Sequence, residues 1–298
     1  MNLLALIWAP ASANEIEAPA AEAPAAEAYP VRYEGQVLPD QPHYDLELLY
    51  HHDRFEEGLA ATRAALAEAP EDKDLYWLAA RFMYEIGERD EDPSVDKVAY
   101  YQEMVATAEA GLALAPDDAH LRFARGIGMG RLGTTRGVLA SLWSAKGIEA
   151  DWLAVANSDL RYSSIGGQEQ LPCDAYHALG IFYRLVPDWW VVQLLAGTRG
   201  DLQRSLEFNT QATRCKADSI QNWKELAATQ LCLGQRGEDE AMTASGLASL
   251  ERALAIPARN DRQRIDHQHA KKMRDDPSIG CEYSRDGQQD LDRKKLER

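Results

Sequence analysis

Four groups of residues in this chain have types and spacings that could do chemistry. Gly128 to Gly133 reads GMGRLG, a formal dinucleotide fingerprint, and the acids Glu149 and Asp151 follow at about the distance where a carboxylate would meet a ribose. That fingerprint works where a strand ends and a helix opens, so that free amides meet a pyrophosphate. Here the glycines fall at the end of a helix, where small residues permit close packing and then a C-cap. Nucleotide binding is not expected. His267 and His269 form an H-x-H, but residues two apart on a helix point to different sides and do not easily grip one metal. The neighbours His51 and His52 share that defect. Acid pairs such as Glu56 and Glu57 read as a solvated helix face, and no Ser, His and acid set has a nucleophile context. The chain is therefore read as non-enzymatic, with no catalytic residue, no cofactor and no metal.

The fourth group is Cys173, Cys215, Cys232 and Cys281, whose spacing fits no CxxC zinc or redox motif. An even count in an exported chain favours disulfides. Cys173 is expected to open one helix and Cys215 to close its antiparallel partner, which puts both at the same end of a hairpin. A bridge there closes a loop of about 40 residues, worth about 4 kcal/mol in the chain-entropy account. Cys232 with Cys281 is then the remaining pair. The alternative is four reduced cysteines buried as small apolar groups in a cytosolic protein.

The elements that carry these residues follow a repeat. An Ala-Pro step, two acidic residues and an amphipathic helix recur after Pro70 and after Pro116. The offset from Pro70 to Gly87 equals that from Pro116 to Gly133, with Ala80 and Gly126 at the matching interior position. Self-similarity of this kind is the mark of stacked helical hairpins of the tetratricopeptide type, with a nominal period of about 34 residues. The expected fold is an all-α, tetratricopeptide-like α-solenoid of about five antiparallel hairpins with an irregular middle.

The hairpins are read as Tyr44 to Arg54 with Phe55 to Ala69, then Asp74 to Gly87 with Lys97 to Ala113, and a third beginning at Asp118. The acidic insertion ERDEDPSVD lengthens the second repeat. After Gly133 two shorter helices and a turn at Gly166-Gly167 are expected. Then come Cys173 to Leu185 with Asp201 to Cys215, flanking the irregular VPDWWVVQLLAGTRG, and Ser219 to Gly234 with Glu238 to Ile256. A solvent-covering helix from Asn260 to Arg274 ends the body. No strand is expected, since period-two alternation never persists between turn signals.

In such a stack the working surface is the concave side lined by the first helix of each hairpin. Matching the registers places Trp77, Arg81 and Tyr84 beside Phe123 and Arg131, with Lys224 further along, a candidate partner-binding groove of aromatic anchors and cations. The rival reading makes the aromatics core and the arginines solvated. Trp189 and Trp190 are read as plugging the core rather than capping the groove.

Composition bounds the partners. The 298 residues carry a formal net charge of −16, and the pI is about 4.9, so binding to nucleic acid or to an anionic membrane surface is disfavoured, because both depend on cationic side chains. Residues 1–13, MNLLALIWAPASA, read as a signal peptide ending in the small-x-small Ala11-Ser12-Ala13. That places the mature chain in the periplasm or outside the cell; without cleavage it would be cytoplasmic. Residues 14–43 form an Ala/Pro/Glu-rich linker and lead-in, 44–275 the helical repeat domain, and 276–298 a polar tail that a cysteine could pin. No other segment is long and apolar enough to span a bilayer.

DLYWLAARFMYEIG, YYQEMVATAEAGLALAPDDAHLRFARGIGMGRLG, DLQRSLEFNTQATR and ERALAIPARNDRQRIDHQHAKKM resemble, in order and spacing, the regulator of microtubule dynamics family and its bacterial relatives. The resemblance covers most of residues 45–275. It implies an all-helical, tetratricopeptide-like body without catalytic residues, used to associate with other proteins. The chain departs from the eukaryotic members in its signal-like start and acidic Ala-Pro arm. A looser similarity is to the helical periplasmic accessory component of tripartite carboxylate transporters, which implies a small ligand within the stack. The expected function is thus a scaffold for a protein or peptide partner in the cell envelope. The alternatives are a ligand-binding accessory of a transport system, which would carry a cavity with convergent arginines, and a structural subunit of a larger envelope assembly, which would carry large exposed apolar patches.

Overall fold

The computed structural model describes residues 43–88, 96–137, 142–165 and 169–285. The signal-like segment, the Ala/Pro/Glu arm up to residue 42, the Gly166-Gly167 turn and the last part of the tail, 286–298, lie outside the described residues.

Twelve α-helices make up the described body: α1 (Tyr44–His51), α2 (Phe55–Glu68), α3 (Lys73–Gly87), α4 (Lys97–Leu114), α5 (Ala119–Arg136), α6 (Ala145–Ala156), α7 (Cys173–Leu185), α8 (Trp190–Ala196), α9 (Leu202–Cys215), α10 (Ile220–Gly237), α11 (Glu240–Ala255) and α12 (Asp261–Asp275). Each helix packs on its sequence neighbour, so α1/α2, α3/α4, α5/α6, α7/α9 and α10/α11 are five antiparallel hairpins, with α8 inserted in the fourth and α12 laid over the last. The fold is an all-α solenoid of the tetratricopeptide kind.

The repeat has a local cause. The second acid after each Ala-Pro step is the N-cap: Asp72 accepts from the Asp74 amide at 3.0 Å and Asp118 from the Leu121 amide at 3.1 Å. Such caps satisfy backbone donors that the first turn leaves unpaired. At the same register Tyr76 donates to the Pro70 carbonyl, Arg122 to that of Pro116 and Trp223 to that of Ala217. The small interior residues Ala80, Gly126 and Ala227 then let neighbouring helices approach. A Cβ on Gly126 would lie 2.4 Å from Trp152 Nε1.

Three departures from the sequence reading have physical reasons. Helix α5 runs past Gly133 to Arg136 and is capped by Gly137 at φ 99°, because Thr134, Thr135 and Arg136 continue the ladder and only the next glycine takes the positive φ. A two-stranded antiparallel pair, β1 (Tyr162–Ser163) with β2 (Glu169–Leu171), joins α6 to α7; strands of two and three residues are too short to alternate visibly. The irregular stretch after Pro187 contains helix α8, and its tryptophans face out, with Trp189 48% and Trp190 72% exposed, not into the core.

Both disulfides join the expected cysteines, Cys173 with Cys215 and Cys232 with Cys281, at Cα separations of 5.6 and 4.4 Å. The second anchors the 3₁₀ turn Pro277–Cys281 against α10, so that residues 276–285 lie on the helical body, with Tyr283 buried.

The stack does not remain an open ribbon. Arg262, on the first turn of α12, reaches Glu85 and Glu88 at the end of α3, and Arg285 reaches Glu88 as well. The beginning and the end of the body therefore meet across its inner side.

Candidate functional site

Of the six residues read as a groove, Trp77, Arg81, Phe123 and Lys224 are buried. Their helices turn the matching faces inward, because α12 and the 276–285 segment cover the side that an open ribbon would expose. Arg81 is bonded to both oxygens of Glu47 at 2.9 Å, to the Tyr162 hydroxyl at 2.7 Å and to Gln170 at 3.3 Å, and its guanidinium lies 3.8 Å from the Tyr50 ring centroid. Trp77 packs edge-on against Tyr162 and beside His120. Lys224 sits 2.7 Å from Asp266 and 3.3 Å from Glu225. Burial alone would lower its pKa, but Tyr283 and the two carboxylates outweigh this and hold the ammonium above its ordinary range. As they stand, these four side chains are internal ties.

Tyr84 and Arg131 fall together on a cavity of about 190 Å³ between α3, α5, α6, α7, α10 and the 284–285 segment. Its walls are apolar: Ile127 from α5, Ile148 and Trp152 from α6, Ile181 and Phe182 from α7. One part carries charge, with Glu88, Arg131, Arg184, Glu225 and Arg285 converging on it. Glu88 takes Arg131 at 2.5 Å, Arg285 at 2.8 Å, Arg262 at 3.1 Å and the Tyr101 hydroxyl at 2.6 Å. Burial would raise its carboxyl, but Arg131 and Arg262, with Tyr101 and Arg285, bring it down to about 2. Glu225 is likewise brought down to about 2, as Lys224 and Arg184 outweigh its burial. Arg184 donates to Glu225 and to the Tyr283 carbonyl, both at 2.5 Å.

His177, on α7, lines the same cavity with both ring nitrogens closed off from solvent and bonded to no group among the described residues. Burial leads the effects that push its pKa down, so the ring is neutral at neutral pH and offers one donor and one acceptor. Sequence reasoning passed over His177, Arg184 and Arg285. Nothing local marks them, since they converge only when α7 meets α10 and the 284–285 segment.

The other motifs serve the fold. Gly128 of the GMGRLG stretch packs against Val105, Asp151 pairs with Arg125 at 2.7 Å and Glu149 with Arg204 at 3.2 Å. His267 bonds to the Ala253 carbonyl and His269 to the Tyr283 hydroxyl, so the H-x-H splits to two sides.

A second feature lies outside. On α8, Val192 and Ala196 face in, whereas Trp190, Val191, Leu194 and Leu195 face solvent at 72, 40, 72 and 52% exposure. The excursion is held at its base, where Gly200 donates to the Pro187 carbonyl and Asp201 to that of Tyr183. Trp143, 75% exposed, precedes α6, whose Lys146 lies against Gly197 at the end of α8.

No family model matches the chain, and no curated protein matches it. Among solved structures, the MamA RS-1 ArsTM double mutant is similar at 13% identity, over 71% of this chain and 91% of that one, with a TM-score of 0.41. The solenoid described above rests on the contacts within the chain.

Proposed function

We propose that this protein is a non-enzymatic helical-repeat scaffold that docks a protein partner in the cell envelope through the outward face of α8, as a member of a larger assembly. The observation that carries the reading is the run of Trp189, Trp190, Val191, Leu194 and Leu195 left exposed on a short helix whose base is pinned. A chain gains nothing by itself from such a patch, and contiguous exposed apolar surface marks an interaction site. Tryptophan is also the side chain most often found to dominate binding energy in the centre of an interface. The two disulfides favour an oxidising compartment, in keeping with the signal-like residues 1–13. The motif order resembling the regulator of microtubule dynamics family and its bacterial relatives supports the same class of role.

The test is recovery of partners from envelope extract by the full-length protein, with Trp190→Asp/Leu194→Asp as the interface variant and a Trp77/Arg81 double substitution as the variant of the inward faces. The α8 variant is expected to melt as the parent does and to lose the partner. If it keeps every partner, the α8 assignment is wrong.

A further inference from the structure

We infer that the cavity between α5, α6 and α7 is a binding site for a small amphipathic monoanion, a carboxylate carried on a compact apolar body. This is independent of the α8 reading.

Size and wall chemistry set the body of the ligand. At about 190 Å³ the cavity is somewhat larger than an engineered apolar cavity of about 150 Å³ that takes one benzene. Ile148, Trp152 and Phe182 supply an apolar surround suited to a phenyl ring or a short alkyl chain.

Charge sets the head group. The lining holds three guanidiniums, of Arg131, Arg184 and Arg285, against two carboxylates, of Glu88 and Glu225. The layer behind them pairs off, Lys224 with Asp266 and Arg262 with Glu85. One positive charge is left in excess within a chain of net charge −16. A monoanion neutralises it and a cation does not. His177 supplies a donor aimed into the same space, its nitrogens bonded to no group among the described residues. A neutral imidazole N–H to a carboxylate is one of the stronger hydrogen bonds, because the acceptor is ionised.

The experiment is calorimetric titration of the full-length protein with benzoate and hexanoate, against benzyl alcohol and hexanol as neutral counterparts and benzylamine as the cation. At least one carboxylate is expected to bind once per chain, at least about tenfold more tightly than its alcohol, with benzylamine giving no heat. Ala178→Leu, which fills the cavity from α7, is expected to abolish binding. His177→Phe keeps the ring volume and is expected to weaken the carboxylate about tenfold while leaving the alcohol unchanged. Absence of binding by both carboxylates overturns the inference. So does equal affinity for acid and alcohol, or unchanged binding in both variants.

Discussion

Glu88, just beyond α3, accepts a hydrogen bond at 3.1 Å from Arg262 on α12, across 174 positions of sequence. Repeats in a simple solenoid touch only their neighbours. This contact joins the second hairpin to the last helix, and Arg285 adds a further tie to the same carboxylate at 2.8 Å. The winding is thus closed on itself, and the space it closes over is the cavity lined by Arg131 and His177.

Acid should loosen that closure. The Glu88 carboxyl, brought from 4.5 to about 2, contributes stability that is fully present above pH 4.5 and is lost as pH falls towards 2. A shift of that size corresponds to about 3 kcal/mol. Urea unfolding from pH 7 down to pH 3 is expected to show a falling limb, about halved in Glu88→Gln, with Glu225 responsible for the remainder. At pH 7 Glu88→Gln is expected to cost about 3 to 5 kcal/mol, because it leaves buried guanidiniums uncompensated.

Lys224 gives a cleaner dissection. It is fully buried and bonded to Asp266. Lys224→Met alone is expected to destabilise by about 3 to 5 kcal/mol, by stranding Asp266 and Glu225. The double variant Lys224→Met/Asp266→Leu should recover much of this, since an apolar pair can replace a buried ion pair. Chemical denaturation of the three proteins measures both terms; additive losses would show that the pair is not coupled.

Gly126 and Trp152 fix how closely α5 and α6 approach. Gly126→Ala forces a Cβ to within 2.4 Å of the indole nitrogen, and Trp152 is only 6% exposed, so the ring has little room to move. A loss of about 1 to 3 kcal/mol is expected. The same substitution in a Trp152→Phe background should cost less, a coupling that a double-mutant cycle reads directly.

The Cys173–Cys215 bridge ties α7 to α9 across a sequence separation of 42. Replacing both cysteines by serine is expected to lower the unfolding free energy by about 4 kcal/mol through the denatured chain. Far-UV circular dichroism should not change. Free thiol at both positions in the native protein, found by non-reducing peptide mapping, would remove the bridge and the argument for an oxidising compartment.

Much of this architecture could be read from the residues themselves, and the rest could not, for a physical reason. Asp72 and Asp118 cap helices through their own neighbours, Ala80 and Gly126 recur because each hairpin needs a close approach at one height, and Cys173 and Cys215 lie at opposite ends of adjacent antiparallel helices. These are local or nearest-neighbour matters, which a periodic sequence records. The direction in which Trp77 and Lys224 point was not recorded, because it depends on how far the stack winds and on what α12 and the 276–285 segment cover. A reading of aromatic and cationic residues on first helices gives a groove in an open ribbon and an interior in a closed one. The exposure of Trp189 and Trp190 was hidden likewise, since an apolar heptapeptide looks the same whether it plugs a core or stands outside one. Sequence determined the helices, their caps, their pairing and the disulfides. Tertiary structure decided which charged side chains met, by bringing Glu88 to Arg262 and His177 to a common cavity.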